Sequence, residues 1–114
     1  SKLIPPLSWL EMSPRQQELE QMLTQDPNNT FARYGLAMEF LNSGQAEKAV
    51  QAFEALLQVN PDYAAAYFHG GRALETLGRM DEARSIYQRG IEVTSRTGDG
   101  HTRSELQAAL DILG

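Results

Sequence analysis

At 114 residues, with 41% hydrophobic and 22% charged residues, the chain is long enough for one cored domain or a short array and too short for two ordinary domains. A formal charge of −5, with 4 basic against 8 acidic residues up to position 63 and 6 against 7 beyond it, excludes nucleic acid or an anionic membrane as the main partner, because phosphate binding needs clustered Lys and Arg. The absence of cysteine excludes disulfide staples and thiolate metal sites but leaves the compartment open, the cytoplasm being slightly favoured.

The opening "SKLIPPLSWLEM" is apolar but broken by Pro5 and Pro6, and no run approaches the ~20 residues that cross a bilayer. Beginning without Met, it reads as the start of a piece of a longer chain. The two prolines favour an extended conformer over residues 1–12 that cannot join a helix. Leu3, Ile4, Leu7, Trp9 and Leu10 then need a docking place. Either Trp9 and Leu10 cover the exposed side of the first helix, or the segment enters a groove of its own or of a neighbouring molecule.

From 13 to 26, "SPRQQELEQMLTQD" predicts a lone helix with Ser13 as N-cap, Pro14 in the first helical position, and Leu19, Met22 and Leu23 as an apolar edge. Next, "TFARYGLAMEFLN" puts Phe31, Tyr34, Met38 and Leu41 on one stripe and Leu36, Ala37 and Phe40 on another. A helix with two apolar sides has two neighbours. "NSG" supplies a turn at Gly44, and the helix over about 46–59 buries Ala49, Val50, Phe53, Leu56 and Leu57 until "NPD" stops it.

The pattern then recurs: a helix over about 63–77, a turn at Gly78 and a helix over about 80–94, giving repeats at 30–63 and 64–97. "RTGDGHTRSE" reads as a linker into a final helix over 101–113, with "TRSE" at 102–105 as a capping-box candidate and Leu106, Ala109, Leu110 and Leu113 as a single stripe. One stripe suits a cap with its other face in water.

A step of 34 residues links Pro27 to Pro61, Gly44 to Gly78, Ala49 to Ala83, Phe53 to Tyr87, Leu36 to Gly70 and Ala37 to Gly71. It also explains a costly feature. Gly70 and Gly71 interrupt a good helix former, at roughly 1 kcal/mol each relative to alanine, so they are read as a packing device.

The period and the residues on it resemble tetratricopeptide repeats, whose pattern runs W-x2-L-G-x2-Y, then A-x3-F, then P. The first unit reads Arg33-x2-Leu36-Ala37-x2-Phe40, Ala49-x3-Phe53, Pro61; the second reads Tyr67-x2-Gly70-Gly71-x2-Leu74, Ala83-x3-Tyr87, with Ser95 in place of the proline. The match covers about 13–95; Arg33 and Ser95 depart from it. The resemblance implies an all-α, right-handed superhelical array of antiparallel helix pairs, an α-solenoid with a C-terminal capping helix, and implies that paired helices approach where small residues face each other, Gly71 with Ala83 and Ala37 with Ala49.

It further implies a concave groove carrying Phe31, Tyr34, Met38, Leu41 and Asn42 from the first unit and Ala65, Phe68, Arg72, Glu75 and Thr76 from the second, with Asp62 and Tyr63 at the junction. A carboxylate clamp of the family's Lys and Asn type is not expected, since Tyr34 and Met38 stand there. Two readings of the stripe stay open: a flanking helix or residues 1–12 cover it, or it takes a peptide or helix of a protein partner, with Tyr and Met as adaptable contacts and Arg72 orienting an acidic residue. The expected function is a non-catalytic interaction and scaffold module. Its alternatives are a homo-oligomerising module, through the N-terminal segment or the groove, and a regulatory segment of a larger enzyme. His69 and His101 lack metal-ligand spacing, no Gly-Lys-Ser/Thr phosphate loop occurs, and neither metal nor cofactor is expected. His69 reads as a partly buried structural residue. The alternating charges of the second helices read as a solvated face.

Overall fold

A computed structural model describes the backbone of residues 7–114 and side chains from residue 9 onward. Its helices are α1 (Leu7–Leu10), α2 (Pro14–Gln25), α3 (Thr30–Asn42), α4 (Ala46–Val59), α5 (Ala64–Thr76), α6 (Met80–Thr97) and α7 (Gly100–Leu113). Each packs on the next in sequence from α2 onward, and in addition α3 touches α5 and α5 touches α7. The second helices α2, α4 and α6 are splayed, with clefts of about 410 and 270 Å³ between them. Close contact on one side and splaying on the other curve the array, so α3, α5 and α7 line the inner side.

The clefts are the same place one repeat apart. Phe40, Lys48, Gln51 and Ala52 line the first, and their counterparts 34 residues on, Leu74, Glu82, Ser85 and Ile86, line the second. The same translation governs the turns: Gln45 and Arg79 donate their backbone N–H to the Phe40 and Leu74 carbonyls at 2.8 and 2.9 Å, around Gly44 and Gly78 at φ 79° and 74°. Only a residue tolerating the left-handed region closes such a turn without strain. Arg33, which departs from the family's aromatic residue, also keeps the register. Its Nε donates to the Pro27 carbonyl at 2.7 Å, as the Tyr67 hydroxyl does to the Pro61 carbonyl at 2.6 Å.

Ser13 caps α2 as expected, and Gln16 reciprocates to complete a capping box. Elsewhere the boundaries differ from expectation. Residues 7–10 form a helical turn instead of extended chain. Gln17 Nε2 ties it to α2 through the Trp9 and Met12 carbonyls, at 3.0 and 3.1 Å. Leu10 is 59% exposed, so it does not cover the first helix; Met12 packs on the core instead. The expectations for Leu3, Ile4, Pro5 and Pro6 lie outside the described residues, as does the side chain of Leu7.

At the other end α6 runs three residues beyond position 94, because Ser95 lets the helix continue where Pro61 stops α4. It ends at Gly98, φ 80°, and only Gly98 and Asp99 remain of the linker. Asp99, not Thr102, caps α7: its Oδ1 accepts the Thr102 backbone N–H at 3.1 Å, which holds the Asp99 carboxyl below its usual range.

Gly71 is buried as expected, but its neighbour is not the one expected. The three atoms nearest to where a Cβ would stand all belong to the Tyr87 ring, one turn past Ala83. Gly70 meets Ile86 and Phe53, where α4, α5 and α6 converge. Gly90 repeats the device on the far side of α6: a Cβ there would lie 2.6 Å from Tyr67 Cβ and 2.8 Å from Leu106 Cδ1. Dispersion along these close approaches offsets the glycines' low helix propensity.

Candidate functional site

The inner side of α3 and α5 brings together a band of rings. Tyr34 and Tyr63 lie 5.1 Å apart between centroids, Tyr34 and His69 6.2 Å, and Phe68 meets His69 edge-on at 5.3 Å. Behind them the buried Phe53 ring stacks on His69 at 6.3 Å. Tyr34, Met38, Leu41, Tyr63 and Phe68 are half-buried, each with one side on the core. Burial pushes the Tyr34 hydroxyl above its ordinary value, with Tyr63 adding to the effect, and burial alone raises Tyr63.

Other expected groove residues separate from this band. Phe31, one turn before Tyr34, is 62% exposed, and Asn42 is exposed at the far end of α3. Ala65 is half-buried and Thr76 exposed, at the two ends of α5. Asp62 holds Arg96 at 2.6 Å, which keeps its carboxyl below the usual range and ties the repeat junction to the extended tail of α6. Arg72 is exposed and lies over the Phe68 ring, 5.9 Å from its centroid. The Glu75 carboxylate is half-buried and accepts a hydrogen bond from the Tyr87 hydroxyl, which burial and that carboxylate together hold in its protonated form.

His69 is the residue that sequence reasoning set aside. Burial among the rings lowers its basicity; Glu105 of α7 opposes that shift and Arg72 adds to it. A signal for His69 was present: 65, 69, 72 and 76 follow helical spacing, which puts it on the same face as Ala65 and Arg72. Glu105 carried no such signal, because the cap helix departs from the 34-residue step. Among the described residues no three His, Cys, Asp or Glu side chains converge to hold a metal. The face offers rings, a thioether and a guanidinium, a mix that suits contact with another chain.

The tetratricopeptide repeat family matches residues 34–97. A TPR repeat-containing protein of Pseudomonas aeruginosa is 28% identical over 92 residues, spanning 81% of this chain and 88% of that protein. A crystal structure of a tetratricopeptide repeat domain protein from Salinibacter ruber is 40% identical, with a TM-score of 0.70 over 75% of this chain and 94% of that one. The crystal structure of PcrH in complex with the chaperone binding region of PopD has a TM-score of 0.81, covers 86% of this chain and 74% of that one, and shares 17% identity, a likeness of fold alone.

Proposed function

This chain belongs to the tetratricopeptide repeat family, and from that membership we propose that it is a non-catalytic protein-interaction module whose inner groove takes a peptide or helix of a partner protein. The observation that carries the reading is the band of Tyr34, Tyr63, Phe68 and His69, whose rings touch one another and rest on the core. Rings held from behind lose little conformational freedom when a partner covers them, so their apolar area converts efficiently into affinity. Met38 and Leu41 continue the band along α3, and Arg72 supplies a charge that fixes the partner's orientation. The fold likeness to PcrH, whose structure holds a segment of PopD, supports a protein segment as ligand.

Selection of a random dodecapeptide display library on the immobilised chain tests this. The wild type should enrich sequences with aromatic or aliphatic anchors, and the double variant Tyr34→Ala/Phe68→Ala should enrich none while keeping its far-UV dichroism. Equal enrichment by both proteins would move the site away from this groove.

A further inference from the structure

His69 touches both rings on which a segment lying across α3 and α5 would rest. Its imidazole is 6.2 Å from Tyr34 and 5.3 Å from Phe68, and the Phe53 ring of α4 stacks behind it at 6.3 Å. It is half-buried, so one part of the ring still meets water. The groups around it come from every helix it packs against. Tyr34 faces it from α3, with Tyr63 beyond, and burial raises both hydroxyls above their ordinary value, which leaves them neutral. From α4 comes the apolar Phe53, from α5 Phe68 and Arg72, and from α7 Glu105, whose carboxylate lies 3.8 Å from the other histidine of the chain, His101. Within this cluster the imidazoles are the groups whose ordinary range falls between pH 5 and 8.

We propose that His69 gates the inner groove by pH: the neutral imidazole serves as one more flat face of the aromatic band, and its protonation places a cation beneath the bound segment and releases it. This gate rests on the groove reading above and adds its regulation. A partner spanning Tyr34 and Phe68 takes the remaining face of His69 out of water, which disfavours the charged form further. By linkage, protonation then weakens binding to the same extent. Burial already holds His69 of the free protein below 6.5, so affinity is level above pH 6.5 and declines as pH falls through that depressed value. Glu105 opposes the gate without cancelling it, since its side chain is 47% exposed and screened by water. His101, at 86% exposure, keeps its water in either state and has no such effect.

The test follows binding by fluorescence anisotropy between pH 8 and pH 5, over the range in which far-UV dichroism is constant. The probe is one dodecapeptide from the wild-type selection, made with blocked termini and with Asn or Gln in place of any Asp, Glu or His, so that only the protein titrates. The wild type should bind it equally at pH 8 and pH 7 and more weakly at pH 5 by about threefold or more, never losing more than about tenfold per pH unit, the limit for one proton. His69→Gln should lose the decline, whatever its affinity at pH 7, and His101→Gln should keep it. A level wild-type profile, or a decline shared by His69→Gln, overturns the gate while leaving the groove reading intact. Should His69→Gln bind too weakly to titrate, the imidazole resonances of the wild type decide: His69 should titrate at lower pH with the peptide bound than without it, and a midpoint that stays or rises overturns the gate equally. A wild type that selects no peptide removes the groove reading and this proposal together.

Discussion

A methyl group added at Gly71 would lie 2.5 Å from Tyr87 Cζ, and the ring cannot swing aside because it is fully buried. Overpacking of this kind costs about 1–3 kcal/mol and outweighs the roughly 1 kcal/mol that alanine gains in helix propensity. Gly71→Ala should therefore lower the melting temperature by about 4–8 °C, and Gly71→Leu by more. Gly100→Ala, with nothing within 4 Å of its Cβ position, should not lower it. A Gly71→Ala protein melting at or above the wild-type temperature would contradict the close approach. His69 sets a pH dependence. Its folded basicity is depressed from the ordinary value of 6.5, mainly by burial, so the unfolded chain binds a proton first as pH falls. The stability tied to neutral His69 is whole above pH 6.5 and declines as pH drops from there through the lower folded value. Tyr34, Phe53 and Phe68 face the imidazole, with Glu105 and Arg72 as the charged groups acting on it. Thermal melts between pH 7 and pH 5 should steepen in the wild type relative to His69→Gln; parallel profiles would show that the ring is not effectively desolvated.

At the scale of elements, α6 couples the second repeat to the cap. Its added turn carries Arg96 to Asp62 at 2.6 Å and brings Thr94 to where its carbonyl accepts the backbone N–H of both Gly98 and Asp99 at 3.0 Å. Asp99 then starts α7, whose buried Leu106 packs where Gly90 leaves space. Restoring the family's proline by Ser95→Pro would remove a helical N–H and clash with the preceding turn, at about 3 kcal/mol. The expected result is a melting temperature lower by about 10 °C and a loss of hydrogen-exchange protection concentrated in α7. Protection of α7 equal to wild type would mean that it docks independently of the α6 tail.

Over the whole molecule the radius of gyration is 15.2 Å and the extents are 53 × 28 × 17 Å, against roughly 13 Å for the radius of a compact globule of this length. The difference is what a linear array produces, since each helix pair contacts only its neighbours. Both flanks present polar outer faces: Arg15, Glu18, Gln21 and Gln25 on α2, and Arg103, Ser104, Gln107 and Asp111 on α7. Head-to-tail stacking of copies would have to take these polar faces out of water. Phe31 and Ile112, at 62% and 84% exposure, are single exposed apolar residues on different helices, which a monomer tolerates. Sedimentation at low micromolar concentration should accordingly give a species of 12.7 kDa. A dimer abolished by Phe31→Ser would instead assign the groove to self-association.

The helices, the turns at Gly44 and Gly78 and the order of packing were legible in the amino acids, because propensity, capping and the 34-residue step are local properties that each unit states again. Even Arg33, which breaks the family's pattern, keeps its place by making the hydrogen bond that Tyr67 makes one period later. The length of α6 was half legible: Ser95 was noted as a missing proline, but how far the helix then runs depends on Gly98 and on docking of α7. What only the tertiary structure decided is which side chains share a surface. Tyr87 reaching Glu75, His69 among rings from two repeats, and Glu105 acting on it from the cap all join residues of different helices. Periodicity fixes which face a residue occupies, but the curvature that brings three such faces together arises from how closely the inner helices pack, and that sum over contacts is written in no single repeat.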